Sequence, residues 1–199
     1  HNLSRFENCQ TTLLQTEQII NGQNVASASL GDIQTILNLK RAYQYVMRHI
    51  SDGLPVDIPL LKKINSIVAL EDSLAPGDFR TGTVGVTLVD GLRHTPSTIS
   101  EVEVQNLFGQ IANRSCSITE TAIRSILAFM RQQIFWDGNK RTATLFANAM
   151  LIEKGCGILE ISELQMPEFN TKLSDFYRSG DDTDVATYLY QNCIFGIDY

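Results

Sequence analysis

The sequence is short of the features that settle a protein's class at a glance. Its four cysteines, Cys9, Cys116, Cys156 and Cys193, stand far apart. They have neither CxxC spacing nor the density of a disulfide framework, so free thiols in a reducing compartment are expected. Of three histidines only His49 and His94 are internal, and no spacing suggests a zinc site or a Ser-His-Asp series. Basic charge is scarce as well. Sixteen Lys and Arg against 22 Asp and Glu leave a formal net charge of -6, which argues against a general nucleic-acid binder, because such proteins turn a basic face to phosphates. No apolar run approaches the ~20 residues that span a bilayer, and the first residues lack the regions of a secretion signal. A cytoplasmic chain with no membrane partner is the simplest expectation.

What the sequence does have is enough apolar residues, 43% of 199, for one domain over 1–199 with a substantial core. The dominant period is helical. Ile33, Ile36, Leu37, Tyr43, Val46, Met47 and Ile50 keep largely to one stripe, which Gly53 and Pro55 stop. Asp57 then caps a helix through "IPLLKKINSIVAL". Two later starts carry the reciprocal capping pattern, Ser100 with Glu103 and Ser117 with Glu120. After the second, Ile123, Ile126, Leu127, Met130 and Ile134 share a face. Weaker amphipathic helices follow near 166–178 and 183–194. One stretch breaks the pattern: "TGTVGVTLVDGLRHTPS" alternates Val84, Val86 and Leu88 before the turn dipeptide Asp90-Gly91, and predicts a hairpin within about 80–96. A lone hairpin is marginal and must lean on the body or on a partner.

The most informative stretch is "QQIFWDGNKRTATLFANAML", from Gln132 to Leu151. Apolar residues cover most of its second half, so that helix should be buried all round, with Gly155 ending it. Its first backbone N–H groups lack intrahelical partners and form an anion site with the helix dipole. Gly138 permits a tight approach, Asn139 and Lys140 offer further donors, and Arg141 can grip phosphate oxygens through its planar fork. Asp137 is suited to a magnesium ion bridging two phosphates. These residue types suit a di- or triphosphate site. They suit an ordinary helix cap with solvated bases about equally well.

"IFWDGNKRTA" resembles the Fic-domain signature His-Pro-Phe-x-Asp-Gly-Asn-Gly-Arg-x-x-Arg, with Phe135, Asp137, Gly138, Asn139 and Arg141 in register. The resemblance implies an all-α, Fic-type helical bundle with a small β-hairpin flap, an N-terminal helical segment over about 1–28 and a motif loop and helix start over 133–144. It further implies that Asp137 holds Mg2+, that Gly138, Asn139, Lys140 and Arg141 cradle the phosphates of ATP or another nucleotide, and that Thr83, Val84, Gly85 and Val86 lie on a flap that clamps a protein target by strand addition. Family members transfer AMP to hydroxyl side chains, with the motif histidine as base. Gln133 occupies that histidine's place, and an amide cannot take a proton near neutral pH. Lys140 replaces the second motif glycine and Thr144 the final arginine, and Asn-Lys-Arg-Thr-Ala is similar to the Doc toxins, which transfer phosphate. A Fic-type adenylyltransferase or phosphotransferase and a catalytically degenerate nucleotide- or protein-binding module both remain open, and so does a homo-oligomer. The family's inhibitory frame, Ser/Thr-x-x-x-Glu-Gly/Asn, is matched by "TEQIIN" (Thr16 to Asn21) with Ile20 in the glutamate's place, so the inhibitory pair is expected to be missing.

Overall fold

The computed structural model describes residues 1–196. A 3-10 turn, Asn2–Glu7, leads into α1 (Leu13–Ile20), α2 (Leu30–Ser51) and α3 (Ile58–Val68). The hairpin strands β1 (Val86–Thr87) and β2 (Arg93–His94) follow, then α4 (Glu101–Arg114), α5 (Ile118–Gln132) and α6 (Asn139–Glu153). After β3 (Ile158–Leu159) come α7 (Met166–Ser179), α8 (Thr183–Asn192) and β4 (Ile194–Phe195). The described residues thus form an all-α bundle with one short hairpin and a second two-stranded antiparallel pair, β3 with β4 across α7 and α8, which the sequence did not announce. That pair joins Ile158 to Phe195 and Leu159 to Ile194, and Asn148 of α6 secures it by bonding both the N–H and the C=O of Leu159, at 2.6 and 2.9 Å.

Local chemistry places the helix ends where the sequence expects them, with one difference. Asp57 accepts from the N–H of Leu60. Ser100 and Glu103 form the reciprocal box in full. At α5 only half of it closes: Ser117 accepts from the N–H of Glu120, while the Glu120 carboxylate accepts from the N–H of Cys116 and from Arg124. The nearby guanidinium competes for the acid that would complete the box.

Helix α6 is the axis of the molecule. Every residue from Arg141 to Leu151 is buried, packed by α5 on one side and by α2 and α3 on others. Phe146 of α6 stands between Phe108 of α4 and Phe129 of α5, with ring centroids at 5.6 and 6.1 Å, a spacing at which aromatic pairs add to plain area burial. A helix so fixed holds its N-terminus still. The four cysteines are free, and burial pushes the Cys9 and Cys193 thiols up to about 11. No helix among the described residues is long and apolar enough to cross a membrane.

Candidate functional site

The site lies in the turn between α5 and α6. Helix α5 ends at Gln133, which takes a left-handed conformation (φ 46°), uncommon for a residue with a side chain. The Gln133 amide is engaged: Nε2 donates to the Met130 carbonyl at 2.6 Å, and Oε1 accepts from Asn139 at 3.3 Å. Asn139 also closes the turn on itself, since its Oδ1 accepts from the N–H of Phe135 and its Nδ2 donates to the Phe135 carbonyl. From α3, Asn65 donates to the Asp137 carbonyl and to Thr142. Phe79 pairs with Phe135 through a β-bridge and a ring contact at 5.1 Å.

The strongest tie is Arg80, a fully buried cation that makes no ion pair among the described residues. Its guanidinium donates to the carbonyls of Gln132 and Gln133 at the end of α5 and to those of Gly82, Pro96 and Ser97 around the hairpin. Carbonyls at a helix C-terminus carry partial negative charge and suit a cation. One side chain therefore fastens the hairpin to the turn.

At the mouth of α6, Gly138 is the N-cap at φ 70°. A Cβ there would approach that of Ala69 to 3.0 Å, so both conformation and space call for glycine. No side chain caps this helix, and among the described residues the N–H groups of Asn139, Lys140 and Arg141 have no acceptor. Such orphan donors, with the dipole behind them, make a ready anion site. Asp137 stands beside them half-exposed, its Oδ1 accepting from the N–H of Gly138. Lys140 is largely covered; burial lowers its pKa against the pull of Glu7, and Nζ lies 5.7 Å over the Phe6 ring.

Arg141 departs from the sequence expectation. Its side chain is wholly buried and turned into the protein, where it meets Glu7 at 2.8 Å, Asp72 at 3.2 Å, Asp137 at 3.5 Å and the Val68 carbonyl at 3.2 Å. Glu7 closes the 3-10 turn, and its carboxyl is raised by burial against Arg141, with Asp137 and Asp72 adding to the rise. An acid from the N-terminal segment thus does reach the motif. It comes from Glu7, not from the frame at Thr16 to Asn21, which lies on α1. Thr144, in the place of the final arginine, only back-bonds to the Lys140 carbonyl.

The hairpin completes the site. Val86 pairs with His94 and Thr87 with Arg93, and Gly91 takes the left-handed position in the turn (φ 82°). Of the expected flap residues only Val86 lies within a strand; Thr83, Val84 and Gly85 precede it outside any regular element. Between this hairpin and α7 is a cavity of about 160 Å³ lined by Val86, Leu88, Lys140, Asn170, Ser174 and Tyr177, among others. The Tyr177 hydroxyl is buried next to Gln133 without a well-formed bond, and burial raises its pKa. Sequence reading missed Arg80, Asn65, Glu7 and Tyr177. Only Glu7 carried a partial signal, an acid followed by asparagine, with Leu3 where the inhibitory frame asks for serine or threonine.

No curated protein matches the chain. Residues 55–151 match the model of the Fic/DOC family. Among solved structures, a Fic-domain-containing signaling protein from Bacteroides thetaiotaomicron is similar at 19% identity and TM-score 0.78, over 96% of this chain and 79% of that one. Fic-1 from C. elegans (residues 134–508) is similar at 18% identity and TM-score 0.76, over 96% of this chain and 57% of that one. BepC of Bartonella tribocorum, solved with bound AMPPNP, is similar at 14% identity and TM-score 0.50, over 88% of this chain and 95% of that one. With the motif turn, the buried axial helix and the hairpin in place, residues 55–151 carry a Fic/DOC-type domain.

Proposed function

We propose that the protein binds a nucleoside triphosphate with its phosphates at the N-terminus of α6 and transfers the nucleotidyl group to a hydroxyl side chain of a protein held along the flap. The observation that carries this reading is the uncapped start of α6, with three free N–H donors and Lys140 opening toward the cavity between flap and α7. That cavity, apolar on the flap side and polar on the α7 side, adjoins the phosphate site and would take part of the nucleoside there. The nucleotide bound to BepC supports the same ligand class here.

Magnesium fits the donor set. Among the described residues no group of three or more potential ligands assembles, but Mg2+ with phosphates needs only one or two carboxylates and keeps its waters, and Asp137 supplies one exposed carboxylate. The ion would neutralise charge on the phosphates. Lys140 and the helix dipole would hold the same oxygens, and Gly138 and Asn139 would keep the turn in shape. Arg141 could touch phosphate only after letting go of Glu7 and Asp72, so its part is to fix the turn and to tether the N-terminal segment over the mouth.

The test is a transfer assay with ATP labelled at the α or at the γ phosphate. Label from the α position on protein, lost in Asp137→Ala, is the expected result. Label from the γ position alone would establish phosphate transfer in its place. Gln133, whose amide cannot accept a proton, favours a second reading in which the domain binds nucleotide without turnover; binding without transfer of either label would select it.

A further inference from the structure

Gln133 leaves the motif without a proton acceptor, yet the fold brings one of the two internal histidines against the end of the same helix. His94 lies on β2 of the flap. Its Nε2 is 2.8 Å from the Arg131 carbonyl in the last turn of α5, two residues before Gln133. Its ring packs on that of Tyr177 with centroids 4.9 Å apart, and the Tyr177 hydroxyl is buried beside the Gln133 side chain. Across the ladder His94 faces Val86, and Val86, Tyr177 and Lys140 line one cavity. The ring is half-buried, and its Nδ1 has no partner among the described residues.

This arrangement defines a tautomer. A carbonyl can only accept, so Nε2 carries the proton and Nδ1 holds the free lone pair. The Arg131 carbonyl would also stabilise the imidazolium, as a backbone acceptor behind a working histidine does. We propose that His94 is the catalytic base of this protein, taking over from the flap the proton-accepting role that Gln133 cannot fill.

The inference rests on the transfer reading above. In the step it describes, the hydroxyl oxygen of the target forms a bond to the α-phosphorus. The bond from that phosphorus to the oxygen bridging to the β-phosphate breaks, and pyrophosphate leaves with the bonding electrons. The hydroxyl proton passes to Nδ1 of His94 and later to water. The charged groups around the ring are Arg131, from α5, whose Nε donates to the Tyr177 carbonyl at 3.3 Å, and Arg93 on the same strand. Tyr177 from α7 contributes an uncharged phenol, and Gln133 an uncharged amide.

The experiment compares wild type, His94→Gln, Gln133→His and the double variant His94→Gln/Gln133→His in nucleotidyl transfer across pH. General-base catalysis contributes about 10² to 10⁴ in rate, so His94→Gln should lose on the order of 10² and the rising limb of its rate–pH profile, with nucleotide affinity unchanged. The double variant should recover transfer, because a base at 133 replaces the one lost. If His94 served only to hold the flap, wild type would have no base and Gln133→His alone would raise its rate by about 10² or more, and that result overturns the proposal. Unchanged transfer by His94→Gln overturns it too while leaving the transferase reading intact, whereas no transfer by wild type sinks both.

Discussion

In the His94→Gln background, Gln133→His raises the rate of group transfer by about 10² to 10⁴, the usual contribution of a positioned base. The backbone is ready for the change: position 133 sits at φ 46°, and histidine is among the residues that tolerate the left-handed region best. The bonding is ready too. Where the Gln133 amide now donates to the Met130 carbonyl, an imidazole would donate from Nδ1, which leaves Nε2 as an acceptor facing the mouth of α6. The gain should appear in the turnover number with little change in nucleotide affinity, because the phosphates are held by the start of α6 and by Lys140, which the substitution does not touch. Steady-state kinetics of the purified variant checks this. A variant that binds nucleotide as before and transfers no faster would show that position 133 does not face the reacting hydroxyl.

The largest loss of stability is expected from Arg80→Ala. Truncation leaves five carbonyls short of a donor and opens a void where a fully buried side chain lay. Each buried acceptor left unsatisfied costs about 1–3 kcal/mol, so with water answering some of the five a loss of roughly 3–5 kcal/mol is expected, and in a chain of this size each kcal/mol moves the melting temperature by about 2–4 °C. A fall of around 10 °C by circular dichroism is therefore expected. Arg80→Lys should recover little of it, since a point charge on a flexible stem cannot reach carbonyls on both the hairpin and α5. A shift of only a degree or two would mean that the hairpin is held chiefly by other contacts, such as Phe79 on Phe135.

Much of this architecture was written in local patterns. The Asp57 cap, the Ser100 box and the all-round apolar surface of α6 depend on neighbours within a few residues, and each appears in the structure; of the stripe in α2, Ile36 and Val46 are buried while Tyr43 and Met47 are exposed, and Leu39 and Ala42 take the buried places instead. Asp90-Gly91 marked the hairpin for the same reason. The position of the motif at a helix start, and the need for glycine at 138, were equally legible.

What the sequence could not convey was direction. Asn139 and Arg141 have the chemistry of ligand-binding residues, but the first folds back onto Phe135 and the second turns inward to Glu7 and Asp72, which are remote in sequence from it. Only the packing of the 3-10 turn and the end of α3 against α6 decides that. Likewise nothing local marks Arg80 as the residue that joins flap to turn, or His94 as the histidine that reaches α5. The short pairing of β3 with β4 depends on Asn148, a buried asparagine whose partners are visible only in the fold.

The account stands on the claim that the start of α6 receives nucleotide phosphates. A calorimetric titration of ATP with magnesium into wild type and Lys140→Ala tests it most directly. The account predicts saturable one-to-one binding by wild type, weakened about tenfold or more in the variant, as expected on losing a charge-assisted contact of ~1.5–3 kcal/mol. Equal binding by the two proteins, or no heat of binding in the wild type, would contradict it.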